Sequence, residues 1–434
     1  MHAVTQAGND TEQRRKIWSW CLYDWANSAF TTLVVTFVYS AYFTSAFADD
    51  PGRGTALWSR GITVSALVIA ALAPISGALA DRGGRRRYLI LCSLLCVAAT
   101  VALAFVRPSQ PNAVLIALTI FVVANVAFEL GLVFYNAFLS SIAAPERIGR
   151  VSGYGWGLGY AGGLTALLVA LVVFVQPETP LFGIPTDEGF HLRATNLLVA
   201  GWFLLFAIPA FVFLRDDAAP EGGVSIRRAF GDLATTARHL RRYRQTVRFL
   251  LARLFYNDGL VTIFAFGGIY AIGTFGFSFT ELITFGIVIN VGAGLGALAF
   301  GFVDDRIGGR ATIAWSVAAL AVATVIGALA PSREWFWVSA ILVGIFAGPN
   351  QSASRSLMAR FVPARHESEF FGFFAFSGKV TSFLGPALLG VLSDIYSQRV
   401  GLASLLVFFL LGGLFLWRVD EREGIAAAGR PDPA

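Results

Sequence analysis

Charge is scarce in this chain: of its 434 residues only 14% are Asp, Glu, Lys or Arg, where ordinary soluble domains carry about 25%. Cysteine is rarer still. Cys21, Cys92 and Cys96 make an odd set, which excludes a disulfide framework. Cys92 and Cys96 share one helical face inside an apolar run and read as packing residues. The four histidines (His2, His191, His239 and His366) are scattered outside the apolar runs, so no metal site is visible among them. Neither His-Glu-x-x-His nor Gly-x-Ser-x-Gly occurs, and no nucleophile–base pair can be assembled, which argues against an enzyme. A Gly-x-Gly-x-x-Gly run, Gly157 to Gly162, follows no strand and lies in an apolar stretch; it implies no dinucleotide, and no cofactor is expected.

What the chain has is long apolar runs. Residues 65–80, 89–106, 114–127, 197–214 and 311–330 are almost free of charge. A bilayer core takes about 20 such residues per helix. So many runs cannot be hidden in one soluble core of this size, and the solvent they imply is lipid. The basic flank Arg14, Arg15 and Lys16 precedes an apolar stretch too long for a cleavable signal and carrying Asp24, so it reads as the first membrane helix.

Reading the runs against Pro, Gly and charged breaks predicts twelve spans: 22–46, 58–80, 88–106, 113–142, 153–176, 195–214, 247–275, 281–303, 311–330, 335–358, 372–393 and 400–418. The fold class is an all-α membrane protein with two pseudo-symmetric six-helix bundles, 1–214 and 247–420. Of 33 Lys and Arg, twenty-four fall in one set of alternating segments, five in the other and four within spans. That bias puts both termini in the cytoplasm of a multi-pass cell-membrane protein. The same distribution explains the net charge of +6 without nucleic acid. Between the bundles, 215–246 reads as a cytoplasmic linker. Its Ile226, Phe230, Leu233, Ala237 and Leu240 recur at helical spacing among arginines, as in a helix lying on an anionic membrane. The tail 421–434 reads as disordered.

An internal repeat appears at an offset of about 220 residues. Gly77-Ala-Leu-Ala-Asp81-Arg82-Gly-Gly84-Arg85-Arg86 joins spans 2 and 3; Gly301-Phe-Val-Asp-Asp305-Arg306-Ile-Gly308-Gly309-Arg310 joins spans 8 and 9. The first copy resembles the Gly-x-x-x-Asp-Arg-x-Gly-Arg-Arg loop motif of the major facilitator superfamily at every fixed position. The resemblance implies that this constellation latches the cytoplasmic gate. More narrowly, Tyr23-Asp24-Trp25-Ala26-Asn27-Ser28-Ala29-Phe30, Tyr256-Asn257-Asp258-Gly259 and Gln351-Ser-Ala-Ser-Arg-Ser-Leu-Met358 resemble the family around the fungal vacuolar effluxer linked to autophagy. Two departures point away from drug/proton antiport: span 4 carries Glu129 in place of an arginine, and span 5 lacks a Gly-Pro pair.

Six charges fall inside the spans: Asp24, Glu129, Asp258, Arg253, Arg355 and Lys379. Each costs about 2.5–3.5 kcal/mol at mid-bilayer on insertion scales, so each requires a partner or a wet cavity; three acids against three bases imply pairing. Helical spacing groups Asp24 with Asn27, Asn125 and Glu129 with Asn136, Arg253 with Asn257 and Asp258, and Asn350, Gln351, Ser354 and Arg355 together. The superfamily resemblance implies a central cavity lined by spans 1, 4, 7 and 10, which carry those faces. With Trp25, Trp156, Tyr160, Asn290 and Lys379, and without Arg253 and Arg355, these residues form the expected substrate cavity, and Glu129 and Asp258 are the candidates for proton coupling. Glycines at 155, 159 and 163, and the series Gly286, Asn290 and Gly294, imply close helix approach. The expected function is secondary transport of a small polar solute, an amino acid among the candidates, by a monomer in the lipid bilayer with a proton as coupling ion. The alternative is a non-transporting receptor or scaffold, for which the cavity would be dispensable and the linker important.

Overall fold

The computed structural model describes residues 2–176, 183–216 and 242–430, with Gly231, Leu233 and Thr235 between them. Every regular element among these is helical. Eleven helices are long and apolar enough to cross a membrane. In chain order the first nine are α1 (Thr11–Ala46), α2 (Gly52–Gly83), α3 (Arg85–Phe105), α4 (Ala113–Ile142), α5 (Pro145–Val175), α6 (Asp187–Phe213), α7 (Arg244–Phe275), α8 (Thr280–Ile307) and α9 (Gly309–Leu329). Helix α10 (Arg333–Phe361) follows; α11 (Glu367–Ile395) and α12 (Gln398–Trp417) complete the eleven. With 29 residues α10 is long enough to span, but its second half is polar: Asn350, Ser352, Ser354, Arg355, Ser356 and Arg360 are all buried there. Protein, rather than lipid, surrounds that half, so it need not be apolar.

The helices outrun the apolar stretches that announce them. Helix α1 begins well before residue 22, α2 continues to Gly83, and α11 begins at Glu367. The extra turns are the polar ends, where hydropathy falls although the backbone goes on. The tail, expected to be disordered from 421, carries a short helix α13 (Glu421–Ala427), capped by Asp420, whose Oδ1 accepts the Glu423 N–H at 3.0 Å. Its low sequence complexity hides that cap and the buried Ile425. Of the amphipathic linker helix, Ile226, Phe230, Ala237 and Leu240 lie outside the described residues, as do residues 431–434.

The chain divides into two compact units. Unit 1 comprises Met1–Leu72, Gly83–Tyr135 and Leu158–Glu221; unit 2 comprises Ala73–Arg82, Asn136–Gly157 and Gly222–Ala434. Unit 1 is held by an aromatic stack whose polar atoms are all engaged, as a water-free interior demands. Trp20 and Tyr135 stack at 4.6 Å, and each bonds the other's backbone carbonyl, at 2.9 and 3.0 Å. Tyr23 stacks on Tyr135 at 4.8 Å and shares a 2.8 Å hydrogen bond with Ser93. Gly159 and Gly163 of α5 behave as expected: a Cβ on Gly163 would lie 2.5 Å from Thr32 Oγ1 of α1, and one on Gly159 would lie 3.0 Å from Ser28 Oγ.

In unit 2 the α8 glycine series requires correction. Gly286 faces open space, and Asn290 bonds the Gly286 carbonyl of its own helix at 2.8 Å. The close crossing is instead on the other face, two residues on, where Gly292 and Gly296 meet Gly344 and Ile345 of α10. A four-residue spacing selects a helix face, but two such faces were available on α8. Helix α11 is interrupted: Glu367–Lys379 and Leu384–Ile395 are separate helical segments. Gly385 and Pro386 open the second segment, where proline's missing N–H costs nothing.

Candidate functional site

The repeated loop motif builds the same contact twice. In each copy a glycine with a left-handed backbone turns the chain: Gly84 at φ 86 and Gly308 at φ 89, a conformation that side-chain-bearing residues avoid. Both motif aspartates lie in unit 2 and each lands on the start of another helix. Asp81 accepts the backbone N–H groups of Ser368 (2.8 Å) and Glu369 (2.9 Å) at the start of α11. Asp305 accepts those of Gly149 (2.8 Å) and Arg150 (3.3 Å) at the start of α5. First-turn amides have no intrahelical acceptor and carry the positive end of the helix dipole, so a carboxylate satisfies both needs. The motif glycines permit the approach: a Cβ on Gly77 would overlap the Ser368 carbonyl, and one on Gly301 would lie 2.9 Å from Arg150 Cα.

The arginines following each turn are used locally. Arg86 donates its Nε to the Phe211 carbonyl at 2.9 Å, and its backbone N–H faces Asp216; the Arg85 Nε is 3.5 Å from the same carboxylate. Arg310 donates to the Leu416 and Trp417 carbonyls, while Glu421 accepts from the backbone of Gly309 and Arg310. Arg82 is partly buried and Arg306 is exposed. Arg306 lines a cavity of about 720 Å³ with Arg248, Arg310, Arg360, Asp305 and Glu421.

Beneath this junction Arg355 of α10 is 4% exposed. It donates to the Ser152 carbonyl (2.8 Å) and hydroxyl (3.0 Å), reaches Asn136 Oδ1 at 3.4 Å and lies over the Trp156 ring at 5.4 Å. Thus Asn136 and Trp156 of the expected cavity both meet Arg355. Arg253 is spent on α11: it donates to the Phe374 carbonyl at 2.7 Å and to Ser377 at 3.0 Å, and sits 3.6 Å over the Phe374 ring. Asp258 is 1% exposed and accepts the Gly385 N–H at 3.1 Å, so it caps the second segment of the broken α11. Among the described residues it makes no ion pair, and its Oδ1 has no hydrogen-bond partner. The three-against-three pairing therefore fails at Asp258, because a helix N-terminus supplies the positive end that an arginine was expected to supply. Asn257 lies beside it, 3.4 Å from the Gly378 carbonyl.

Other expected cavity residues turn elsewhere. Asn350 donates to Ser316 of α9 at 3.0 Å, and Ser354 is buried between the Asn350 carbonyl and the Tyr256 hydroxyl. Trp25 stacks with Trp202 of α6 at 5.7 Å. A polar band on a membrane helix marks protein contact, and these three each contact a neighbouring helix. Asp24 and Asn27 are buried in unit 1 with Asn125, while Glu129 and Tyr160 are part-exposed there; Gln351 and Lys379 are part-exposed in unit 2.

Several working residues escaped the sequence reading. Arg193 donates to the Ala104 and Val106 carbonyls that end α3, and Arg399 does the same for Ala328 and Ala330 at the end of α9. Arg360 pairs with Asp304 at 2.6 Å in full burial, and Arg430 ties the tail to the carbonyls of Val362 (2.6 Å) and Ser140 (3.1 Å). No local pattern announces these long-range contacts.

A family model described as "Vacuole effluxer Atg22 like" matches residues 53–429. The chain belongs to this family. It is 32% identical over 412 residues to the uncharacterized MFS-type transporter YxiO of Bacillus subtilis, covering 93% of this chain and 94% of that one. Autophagy-related protein 22 of Cryptococcus neoformans is 28% identical over 298 residues, 63% of this chain; the chain spans about half the length of that fungal relative, 51%. Among solved structures, the fold matches the transporter FucP in its outward conformation (TM-score 0.74, 12% identity, 93% and 98% of the two chains). It also matches the human organic anion transporter MFSD10 (TM-score 0.72, 16% identity, 93% and 99%). This Atg22-like chain is thus an all-α, multi-pass membrane protein of major facilitator fold and an MFS-type transporter of small solutes.

Proposed function

We propose that this Atg22-like transporter moves a small polar solute, amino acids being the first class to test, across the cytoplasmic membrane by alternating access. In this reading its twelve spans form two six-helix bundles, both termini are cytoplasmic, and the chain acts as a monomer. The observation that carries it is the paired helix-end contact: Asp81 on the start of α11 and Asp305 on the start of α5. Two equivalent contacts, each glycine-enabled and each made by a carboxylate on backbone amides, can be made or broken as a unit. A latch of that kind is what a transporter needs on the side it closes while the other side opens. The arginine bias of the same loops supports the cytoplasm as the closed side.

The residues proposed to meet the solute are Asp24, Asn27, Asn125 and Glu129 in unit 1 and, taken separately, Asn257, Asp258, Gln351 and Lys379 in unit 2. An acid and a base in the second set, Asp258 and Lys379, suit a zwitterion. A broken helix capped by an acid, as in α11 with Asp258, is the arrangement transporters use near the midplane to bind ions or charged groups. Glu129 or Asp258, carboxylates within apolar spans, would carry the coupling proton in this reading. The solved relatives carry such different solutes as xylose and organic anions, so fold alone selects none.

The test is flux into proteoliposomes under an imposed pH gradient, with Glu129→Gln and Asp258→Asn. Asparagine keeps an acceptor for the Gly385 amide, so the second variant preserves the cap. Loss of gradient-driven flux in either, with solute exchange at equal pH retained, is expected. Unchanged gradient-driven flux in both would remove these carboxylates as proton carriers. If neither the wild type nor the variants move any solute while solute-independent assembly persists, the receptor reading takes over.

A further inference from the structure

Scattered in sequence, the histidines suggest no metal. Folding nevertheless brings one of them to a pair of carboxylates. Asp81 at the end of α2, with His366 and Glu369 at the start of α11, each offer one ligand atom, and the three atoms lie within 4.8 Å of one another. All three residues belong to unit 2.

Glu369 is the observation that demands a ligand. It is 1% exposed. Its Oε2 lies 3.0 Å from His366 Nδ1, while its Oε1 has no hydrogen-bond partner among the described residues. Neither Asp81 nor Glu369 has an arginine or lysine partner among those residues. A buried carboxylate with an unengaged oxygen, next to a second carboxylate, suffers both desolvation and like-charge repulsion. The α11 amides compensate Asp81 in part, but each of its oxygens takes only one N–H and keeps a lone pair. The opposite junction shows what is missing here. There Asp305 has Arg150 Nε at 2.5 Å and Arg360 at 3.8 Å, and Asp304 has Arg360 at 2.6 Å. On the Asp81 side Arg430 pairs with Glu367 at 3.4 Å, and neither Asp81 nor Glu369 has an arginine of its own among the described residues.

One imidazole and two carboxylates form a mixed nitrogen and oxygen donor set, which suits a borderline first-row divalent cation over Mg²⁺ or Ca²⁺. In a tetrahedral shell, bonds of about 2.0–2.2 Å place donor atoms about 3.4 Å apart. Closing from 4.8 Å asks a total movement of about 1.4 Å shared among the side chains, and His366 is exposed and able to move. We infer that Asp81, His366 and Glu369 bind one divalent transition-metal cation, with water completing its shell on the exposed histidine side. The cation joins the end of α2 to the start of α11 through side chains, beside the amide contacts that already join them. The inference is independent of which solute is carried.

The experiment uses full-length, tag-free protein in detergent, stripped with a chelator and titrated with Co²⁺ while its visible absorption is read. Wild type is expected to saturate at one equivalent, with Zn²⁺ displacing the cobalt, as the affinity order of divalent ions requires. His366→Ala and Glu369→Gln are each expected to weaken binding at least about tenfold, as loss of one ligand does. Glu423→Gln, which changes a carboxylate outside the donor set, should bind as wild type. Melting in chelator checks that each variant is folded; because His366 is exposed, His366→Ala keeps the test valid should Glu369→Gln unfold. Saturable binding that His366→Ala leaves unchanged would overturn the inference. So would the absence of saturable binding up to roughly 1 mM Co²⁺, far beyond any useful transition-metal affinity.

Discussion

Asp81→Asn isolates the latch at its smallest point. The amides of Ser368 and Glu369 are second and third in α11, so neither has an acceptor in its own helix; Asp81 alone accepts both, at 2.8 and 2.9 Å. Asparagine keeps one acceptor oxygen and turns an NH₂ group toward the other amide. One hydrogen bond to a charged group, about 1.5–3 kcal/mol, is lost. The carboxylate's interaction with the helix end, about 0.3–2 kcal/mol, goes with it. Because Asp81 is only part-buried, the sum is set at about 2–4 kcal/mol, which raises the open fraction roughly 30- to 1,000-fold. Hydrogen exchange read by mass spectrometry on a peptide covering residues 366–374 measures that fraction, since exchange in the opened state tracks the opening equilibrium. The measurement is made in chelator, so that no cation contributes. Acceleration within this range at 366–374, with residues 20–30 of α1 unchanged, is the expected result. A change of less than about threefold at 366–374 would refute the view that Asp81 holds the start of α11.

Two further outcomes follow from contacts elsewhere in the molecule. Gly301→Ala sets a methyl 2.9 Å from Arg150 Cα and 3.0 Å from the Gly149 carbonyl; overpacking against backbone costs about 1–3 kcal/mol, and a lowered Tm with faster exchange at the start of α5 is the readout. Arg193→Gln and Arg399→Gln each strip the terminal carbonyls of a neighbouring helix of a charged donor. Each should cost about 1.5–3 kcal/mol in thermal stability, and equal losses from the two would mark them as equivalent parts of the repeat, whereas a neutral result at either site removes that equivalence.

What the sequence made legible was whatever lipid and repetition impose. Spans announced themselves because a bilayer tolerates few charges, and the motif copies around Asp81 and Asp305 announced themselves because both keep the same glycine turn. The polar half of α10 was readable as non-lipid-facing, but not which neighbour it faced. Asn350 points to Ser316 and Ser354 to Tyr256, and helical spacing assigns a direction around one axis without saying what stands there. Asp258 went wrong for a related reason. Its partner is a backbone amide at the interruption of α11, and a helix break at Gly385-Pro386 shows in the sequence only as a Gly-Pro pair. Arg193, Arg399 and Arg430 act on carbonyls, which every residue has, so no residue type could have signalled their targets.

The two junctions share geometry and differ in charge, and that difference bears on which opens first. Asp305 is held by amides and by Arg150, with Arg360 bridging to Asp304 and, at 3.5 Å, to Glu421 of α13. Removing α5 from Asp305 would strand a buried carboxylate and leave Arg150 without its partner. Asp81 is held by amides alone, with the carboxylates of Glu367 and Glu369 close by on α11. Separation there relieves repulsion as it breaks hydrogen bonds, so its net cost is lower. The degenerate second motif, which puts Gly309 where the first has Arg85, is therefore the tighter of the pair, and the full motif is the looser one. A cation at Asp81, His366 and Glu369 would reverse that order by cancelling the repulsion, so transition-metal occupancy should slow exchange at 366–374 while leaving residues 148–156 unchanged. If the α5 start were protected equally, the metal would be acting on the whole bundle rather than on this junction.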